Sequence, residues 1–196
     1  MSTSQNQYQD LFSFCEQFVQ FSENEKKCFA ELLTYKQYQK GDTITEIGSI
    51  EQNLSFISSG IVRGYCMRGN DDITLCIEFS NSFVSAYSSF TEQTPTKVGL
   101  EALTDVTLYE IKYEHLNTLY EGSKEGERMG RYAAEQMSSI YERRLINLLT
   151  KSATDRYEEL LMNEPQLMLT IPQKYIAEYL GIQPESLSRL KKQAMT

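Results

Sequence analysis

Hydrophobic positions along the 196-residue chain change their period twice, and the changes divide it into three stretches. The first opens with helical spacing: Tyr8, Leu11, Phe12, Cys15, Phe18 and Val19 recur at threes and fours over residues 8–20. Ser22-Glu23-Asn24-Glu25 reads as a capping box, opening a second short helix that runs to about Leu33. From Tyr35 the pattern shortens toward alternation. Tyr35–Gln39, Thr43–Glu46, Leu54–Ser58, Ile61–Met67, Ile73–Phe79, Lys97–Leu103 and Val106–Lys112 read as short strands. Gly48, Gly60 and the Gly69-Asn70-Asp71-Asp72 turn punctuate them. Many short, evenly spaced strands over about 80 residues predict an antiparallel roll or barrel.

Helical spacing then returns. Glu114–Tyr120 predicts a short helix, and Lys124–Thr150 a long uninterrupted one. Met129, Ala133, Met137, Ile140, Arg144 and Leu148 form one stripe along the long helix. That stripe suits packing against the roll, or against a twin helix in a dimer. Ser152-Ala153-Thr154-Asp155 is another capping signature, and a domain hinge is expected there. A helix over about Thr154 to Asn163 follows, and Pro165 leads into the last thirty residues.

Those thirty residues carry the sharpest pattern. Ile176-Ala177-Glu178-Tyr179-Leu180-Gly181-Ile182 ends one short helix in a tight turn, where Gly181 supplies a positive φ. Pro184 suits the first turn of a second helix, Pro184 to Lys192. Ile176, Leu180, Leu187 and Leu190 supply the apolar face between the two helices. Gln183, Glu185, Ser186, Ser188 and Arg189 are left to face outward, and Lys191 and Lys192 close the second helix, within reach of phosphate. This is the sequence shape of a helix-turn-helix, whose second helix enters the DNA major groove. The bland alternative is a helical hairpin with a solvated charged face.

Net charge is −8, which sits oddly with nucleic-acid binding until its distribution is read. Residues 1–150 carry 13 basic and 21 acidic side chains, residues 151–196 carry 6 of each, and residues 184–196 are net +2. The positive field is local to the last helix, so binding through it should depend strongly on salt. Hydrophobic content of 40% and charged content of 23% mark a globular chain. No apolar run approaches the roughly 18 residues of a membrane helix, and MSTSQNQYQD has neither the basic region nor the apolar core of a signal peptide. A cytoplasmic protein with no membrane partner is expected.

Cys15, Cys28, Cys66 and Cys76 form no C-x-x-C pair and no zinc or iron–sulfur spacing. Cys66 and Cys76 fall in strand-like runs and are expected to be buried small hydrophobes. His115 is the only histidine, so a multi-His metal site is excluded. No Ser/His/Asp set or carboxylate pair stands at telling spacing, so neither a metal nor a catalytic residue is expected.

A roll, a long helix, a capped hinge and a C-terminal helix-turn-helix together resemble the Crp/Fnr family of bacterial transcription regulators. The local matches are Lys40-Gly41-Asp42 with Gly48, Ile57-Ser58-Ser59-Gly60-Ile61-Val62-Arg63, and the run from Arg156-Tyr157 through Lys192. The resemblance implies an α+β chain in three parts: an antiparallel β-roll of cyclic-nucleotide-binding type with N-terminal helices over 1–122, a long dimerisation helix over 123–151, and an all-α helix-turn-helix domain over 152–196. It implies a homodimer through the long helix, reading double-stranded DNA with a two-fold symmetric operator. By position, Glu185, Ser186 and Arg189 would face base edges, with Pro184 at the helix start. Arg189 would suit a guanine and Glu185 a cytosine amino group. Gln173, Lys174 and Lys192 would contact phosphate. The sequence ends seven residues after Arg189, so no β-hairpin wing is expected after the second helix. RNA polymerase is a candidate partner for the acidic roll.

The family's effector pocket is where the sequence departs. Cyclic-nucleotide-binding members carry a Gly-Glu pair whose Glu holds the ribose hydroxyl, and about ten residues on an Arg-Ser pair whose Arg neutralises the cyclic phosphate. Here Ser85-Ala86 follows Phe83-Val84, and Thr96-Lys97 stands at the second pair. Lys97 offers a point charge rather than a fork. Ser85, Ala86, Tyr87, Ser88, Thr96, Lys97 and, from the long helix, Tyr141 are the pocket candidates. cAMP and cGMP are not expected to bind usefully, and no cofactor is expected. The alternative kept open is a cyclic-nucleotide-responsive regulator with an unconventional pocket using Lys97.

Overall fold

The chain was analysed as a computed structural model that describes residues 7–165 and 167–194; residues 1–6, Gln166 and the last two residues lie outside the described set. Two short helices, α1 (Gln9–Cys15) and α2 (Glu23–Leu32), precede the strands. The capping box at α2 forms, with Ser22 accepting from the Glu25 amide and Glu25 accepting from the Ser22 amide. Eight strands follow: β1 (Leu33–Tyr38), β2 (Thr43–Thr45), β3 (Asn53–Ser59), β4 (Ile61–Arg68), β5 (Asp71–Phe79), β6 (Ser82–Val84), β7 (Gly99–Ala102) and β8 (Val106–Lys112). They pair antiparallel in two four-stranded sheets, ordered β1-β8-β3-β6 and β2-β7-β4-β5. β6 and the short helix α3 (Tyr87–Glu92) after it are additions to the sequence expectation. Helices α4 (Tyr113–Gly122), α5 (Lys124–Thr150), α6 (Ala153–Asn163), α7 (Leu167–Thr170), α8 (Gln173–Tyr179) and α9 (Pro184–Ala194) complete the chain.

Strand alternation sorts the residues into cores. Ile57, Val62, Val84, Leu100, Ala102, Val106 and Leu108 fill the space between the sheets. The opposite parity of the first sheet, Leu54, Phe56, Phe83, Tyr109 and Ile111, joins a second core with α1, α2, α4 and α5. The first sheet is thus covered on both faces, which accounts for the near-continuous burial of β3 and β8. Gly60 turns β3 into β4 at φ +97°, and a Cβ there would lie 2.4 Å from the Asp105 carbonyl oxygen. Cys76 is buried as expected, whereas Cys66 is only half-buried.

The stripe on the long helix is confirmed as apolar, but it faces inward. Met129, Ala133 and Met137 are at most 4% exposed and lie in the helical core of their own chain. Ile140, Arg144 and Leu148 continue it along a cleft lined also by β5 and α6. Met129, Ala133 and Met137 are therefore spent within the chain, while Ile140, Arg144 and Leu148 are half-buried along that cleft. The expected hinge is correct in its local chemistry, since Ser152 and Asp155 form a capping box. The C-terminal helices do not keep a separate core, however: Tyr157, Leu160, Leu167, Ile171, Ile176, Ala177, Leu180 and Leu187 pack in one cluster with Ile77 and Leu103 of the roll.

Gly60→Ala should lower the unfolding free energy by at least about 2 kcal/mol, because it combines a disallowed φ with a backbone clash. Urea unfolding checks this; a loss under about 0.5 kcal/mol would contradict the turn geometry.

Candidate functional site

The turn between α8 and α9 follows from where the backbone groups go. The Ile182 amide donates to the Ala177 carbonyl and the Gly181 amide to the Glu178 carbonyl, both at 2.9 Å. That pair of bonds is a Schellman motif, and Gly181 holds the left-handed position at φ +69°. A Cβ at Gly181 would meet the Leu148 side chain at 3.0 Å, so the glycine also lets the long helix approach the turn. Pro184 opens α9, and Leu187, fully buried, seats it against α8.

With Leu187 inward, Glu185, Ser188, Arg189 and Lys192 are exposed at helical spacings of three and four, and Gln183 and Pro184 are exposed at the helix start. Ser186 and Lys191 are half-buried. Gln173 and Lys174 are exposed at the start of α8. The residues expected to meet DNA are therefore exposed on α8 and α9, with only Ser186 partly withdrawn.

The inner surface of α8 docks on the second sheet through a polar knot that the sequence reading missed. Arg63 on β4 is 1% exposed. Its Nη1 lies 2.6 Å from Asp72 Oδ2 and 3.1 Å from Glu101 Oε2, its Nη2 lies 3.3 Å from Glu178 Oε2, and its Nε donates to Thr74 Oγ1 at 2.8 Å. The guanidinium also stacks on Tyr175, 4.0 Å from the ring centroid. Glu178 Oε2 accepts from the Thr74 amide at 3.0 Å and the Thr74 hydroxyl at 2.7 Å. Burial works against the charge on Arg63, but hydrogen bonds to Asp72 and Glu101 outweigh it and the pKa is raised. The only sequence signal was one arginine at an outward strand position between Val62 and Gly64.

The same contact reaches one of the expected phosphate ligands. Lys174 Nζ lies 2.9 Å from Asp72 Oδ1 and 3.7 Å from Glu178 Oε1. The Lys174 ammonium and then Arg63 hold the Asp72 carboxyl below its usual range. From the other side, Arg144 on α5 donates to the Leu75 carbonyl of β5 and, at 2.8 Å, to the Tyr179 carbonyl of α8, with its guanidinium 4.0 Å from the Tyr179 ring centroid. Arg144 is thus a strut between roll and C-terminal helices.

A cleft of about 320 Å³ lies beside that strut, lined by Glu78, Arg143, Arg144, Arg156, Glu159 and Tyr179 among others. Glu78 is 7% exposed, and burial pushes its carboxyl up to about 7.

The effector-pocket candidates come together only in part. Ser85, Ala86 and Thr96 are buried, and the Ala86 amide meets a carboxylate of the chain itself. Glu51, 5% exposed, accepts from the Thr45 hydroxyl at 2.7 Å, the Asn53 amide at 3.0 Å and, at 3.5 Å, the amide of Ala86. Its own amide donates to Ser89. Ser85 donates to the Asn53 carbonyl and Thr96 to the Val98 carbonyl, so both hydroxyls are engaged internally. Tyr87 stacks over Phe90, while Ser88 and Lys97 are exposed. Tyr141 stands apart from them, beside Cys76 and Glu78. Glu51 went unnoticed because its partners are spread from Thr45 to Ser89. Among the described residues no group of three or more His, Cys, Asp or Glu could hold a metal ion, and no helix is long and apolar enough to cross a membrane.

Comparison with known proteins fits this geometry. Residues 35–123 match the cyclic nucleotide-binding domain family. FixK2 from Bradyrhizobium japonicum is similar over 82% of this chain and 83% of its own, at 17% identity and a TM-score of 0.71. CLP from Xanthomonas campestris, a c-di-GMP responsive global regulator, is similar over 89% of this chain and 92% of its own, at 22% identity and a TM-score of 0.70. A protein from Eubacterium rectale assigned to the Crp/Fnr family of transcriptional regulators is similar over 88% of this chain and 83% of its own, at 21% identity and a TM-score of 0.69. No curated protein sequence matches. The chain thus shares its overall fold with these three proteins.

Glu78 makes the cleft sensitive to pH. Its folded-state pKa, about 7, lies above the ordinary 4.5, so the folded chain binds this proton more tightly than the unfolded chain. The stabilisation is complete below about pH 4.5 and is lost as pH rises to 7, an effect of about 3 kcal/mol. Urea unfolding at pH 5 and pH 8 should therefore show wild type losing about 3 kcal/mol relative to Glu78→Gln; parallel pH profiles would contradict it.

Proposed function

We propose that the chain is a sequence-specific DNA-binding transcription regulator of Crp/Fnr type, acting as a homodimer and not controlled by cAMP. The observation that carries this reading is the exposed face of the last helix, with Glu185, Ser188, Arg189 and Lys192 aligned on α9, and Gln173 and Lys174 exposed at the start of α8. An arginine on that line can donate two bonds to guanine O6 and N7, and lysines at its ends can hold phosphate. The fold shared with FixK2 and CLP supports the same reading.

Homodimerisation through the long helix uses a different face from the stripe read in the sequence. Leu145, Ile146 and Leu149 are 58%, 50% and 77% exposed near the end of α5. Three large apolar side chains within five residues of one another favour burial against a second copy. A two-fold related pair would present two recognition helices to a symmetric operator.

Independence from cAMP rests on Glu51. At the position expected to carry the ribose-binding Glu, Ala86 has no polar side chain, and its amide is directed at the Glu51 carboxylate. A cyclic phosphate brought there would meet the Glu51 side chain with no guanidinium to neutralise it, because Lys97 lies out on the surface. No cofactor is invoked.

Base reading and phosphate holding separate by mutation. At the preferred duplex, Arg189→Ala should cost about 1–3 kcal/mol and relax base preference. Lys192→Ala should weaken all duplexes alike and flatten the salt dependence. Fluorescence anisotropy over a salt series reads both. Unchanged specific binding by Arg189→Ala would remove α9 from the recognition role.

A further inference from the structure

The hairpin joining β4 to β5 carries Asp71 and Asp72 just past its turn at Gly69 and Asn70. Asp72 is held from two sides: Oδ2 is on the buried Arg63 at 2.6 Å, and Oδ1 is on Lys174 at 2.9 Å. The tip reaches α9 as well, for Arg68, Asp71 and Asp72 line one cleft of about 440 Å³ with Lys174, Gln183 and Pro184. A carboxylate oxygen therefore occupies the ammonium that, on the DNA reading, would hold a phosphate oxygen, at the distance a phosphate would take. Asp71, exposed in the same cleft, adds negative charge where a phosphate backbone would approach.

We propose that this hairpin tip is an intramolecular competitor for DNA phosphate, and that a duplex engages the full helix-turn-helix only when the tip and α8 separate. The device rests on the DNA-binding reading and adds to it a built-in brake. Arg63 makes the brake more than a fluctuating surface pair. It anchors Asp72 at one end and Glu178 at the other, so tip and helix are gripped by one group. Thr74 reports on the grip, since its amide donates across the contact to Glu178.

The test uses a random-sequence 30-base-pair duplex at low salt, read by fluorescence anisotropy with wild type, Asp72→Asn and Asp71→Asn. Asp72→Asn should bind at least about threefold tighter than wild type. Asp71→Asn, which removes a charge from the same cleft and leaves the Asp72 bonds to Arg63 and Lys174 in place, should gain less. An equal gain from Asp71→Asn is general charge relief and overturns the brake, as does no gain at all from a folded Asp72→Asn. Failure of every protein, wild type included, to bind duplex overturns the DNA reading and the brake with it. A second measurement needs no variant: amide hydrogen exchange of wild type with and without saturating duplex. Thr74 should lose protection when duplex is added, and protection unchanged in the bound state overturns the proposal even if Asp72→Asn fails to fold.

Discussion

Arg63 is a charge taken almost wholly out of water, and much of the molecule is arranged to satisfy it. A buried guanidinium is tolerable only when its donors find partners, and removing one side of such a set typically costs about 3–5 kcal/mol. Here the partners come from β5, β7 and α8: Asp72, Thr74, Glu101 and Glu178, with Tyr175 stacked on the plane. Satisfying this one group therefore requires α8 to lie on the second sheet. That placement carries the C-terminal helices onto Ile77 and Leu103, where their core merges with the roll. Arg144 braces the same union from the long helix through the Leu75 and Tyr179 carbonyls. Two arginines, one on each side of the contact, set how the C-terminal helices sit against the roll.

Local structure was largely legible from the chain, because its signals are local. Capping boxes at Ser22 and Ser152, the left-handed glycine at Gly181 and the proline at Pro184 each act within a few residues, and each stands where its chemistry requires. β6 was not legible: three residues are too few to show alternation, and pairing with Ser55, Phe56 and Ile57 is what makes them a strand. The stripe Met129-Ala133-Met137 was legible as an apolar face, but periodicity does not say what a face packs against. The roll took it, leaving Leu145, Ile146 and Leu149 outside.

The polar groups were the least legible, for the same reason. Glu51 and Arg63 are each satisfied by residues distant in sequence, and a carboxylate or guanidinium looks alike in sequence whether it is solvated or enclosed. Among the proposed contact residues, exposure of Arg189 and Lys192 followed from helical spacing alone, whereas the tie between Lys174 and Asp72 required the fold. The two polar knots have different consequences. The one at Glu51 ties the Thr45, Asn53 and Ala86 segments together, and the one at Arg63 governs how the C-terminal helices are held.

The central claim is a dimeric regulator that reads DNA without cAMP. Its most direct test is selection of sheared genomic DNA on the purified chain at near-physiological salt, with and without cAMP, followed by sequencing of the retained fragments. The account predicts enrichment of a two-fold symmetric motif, identical in both arms. Enrichment only in the presence of cAMP, or no enriched motif in either arm, would contradict it.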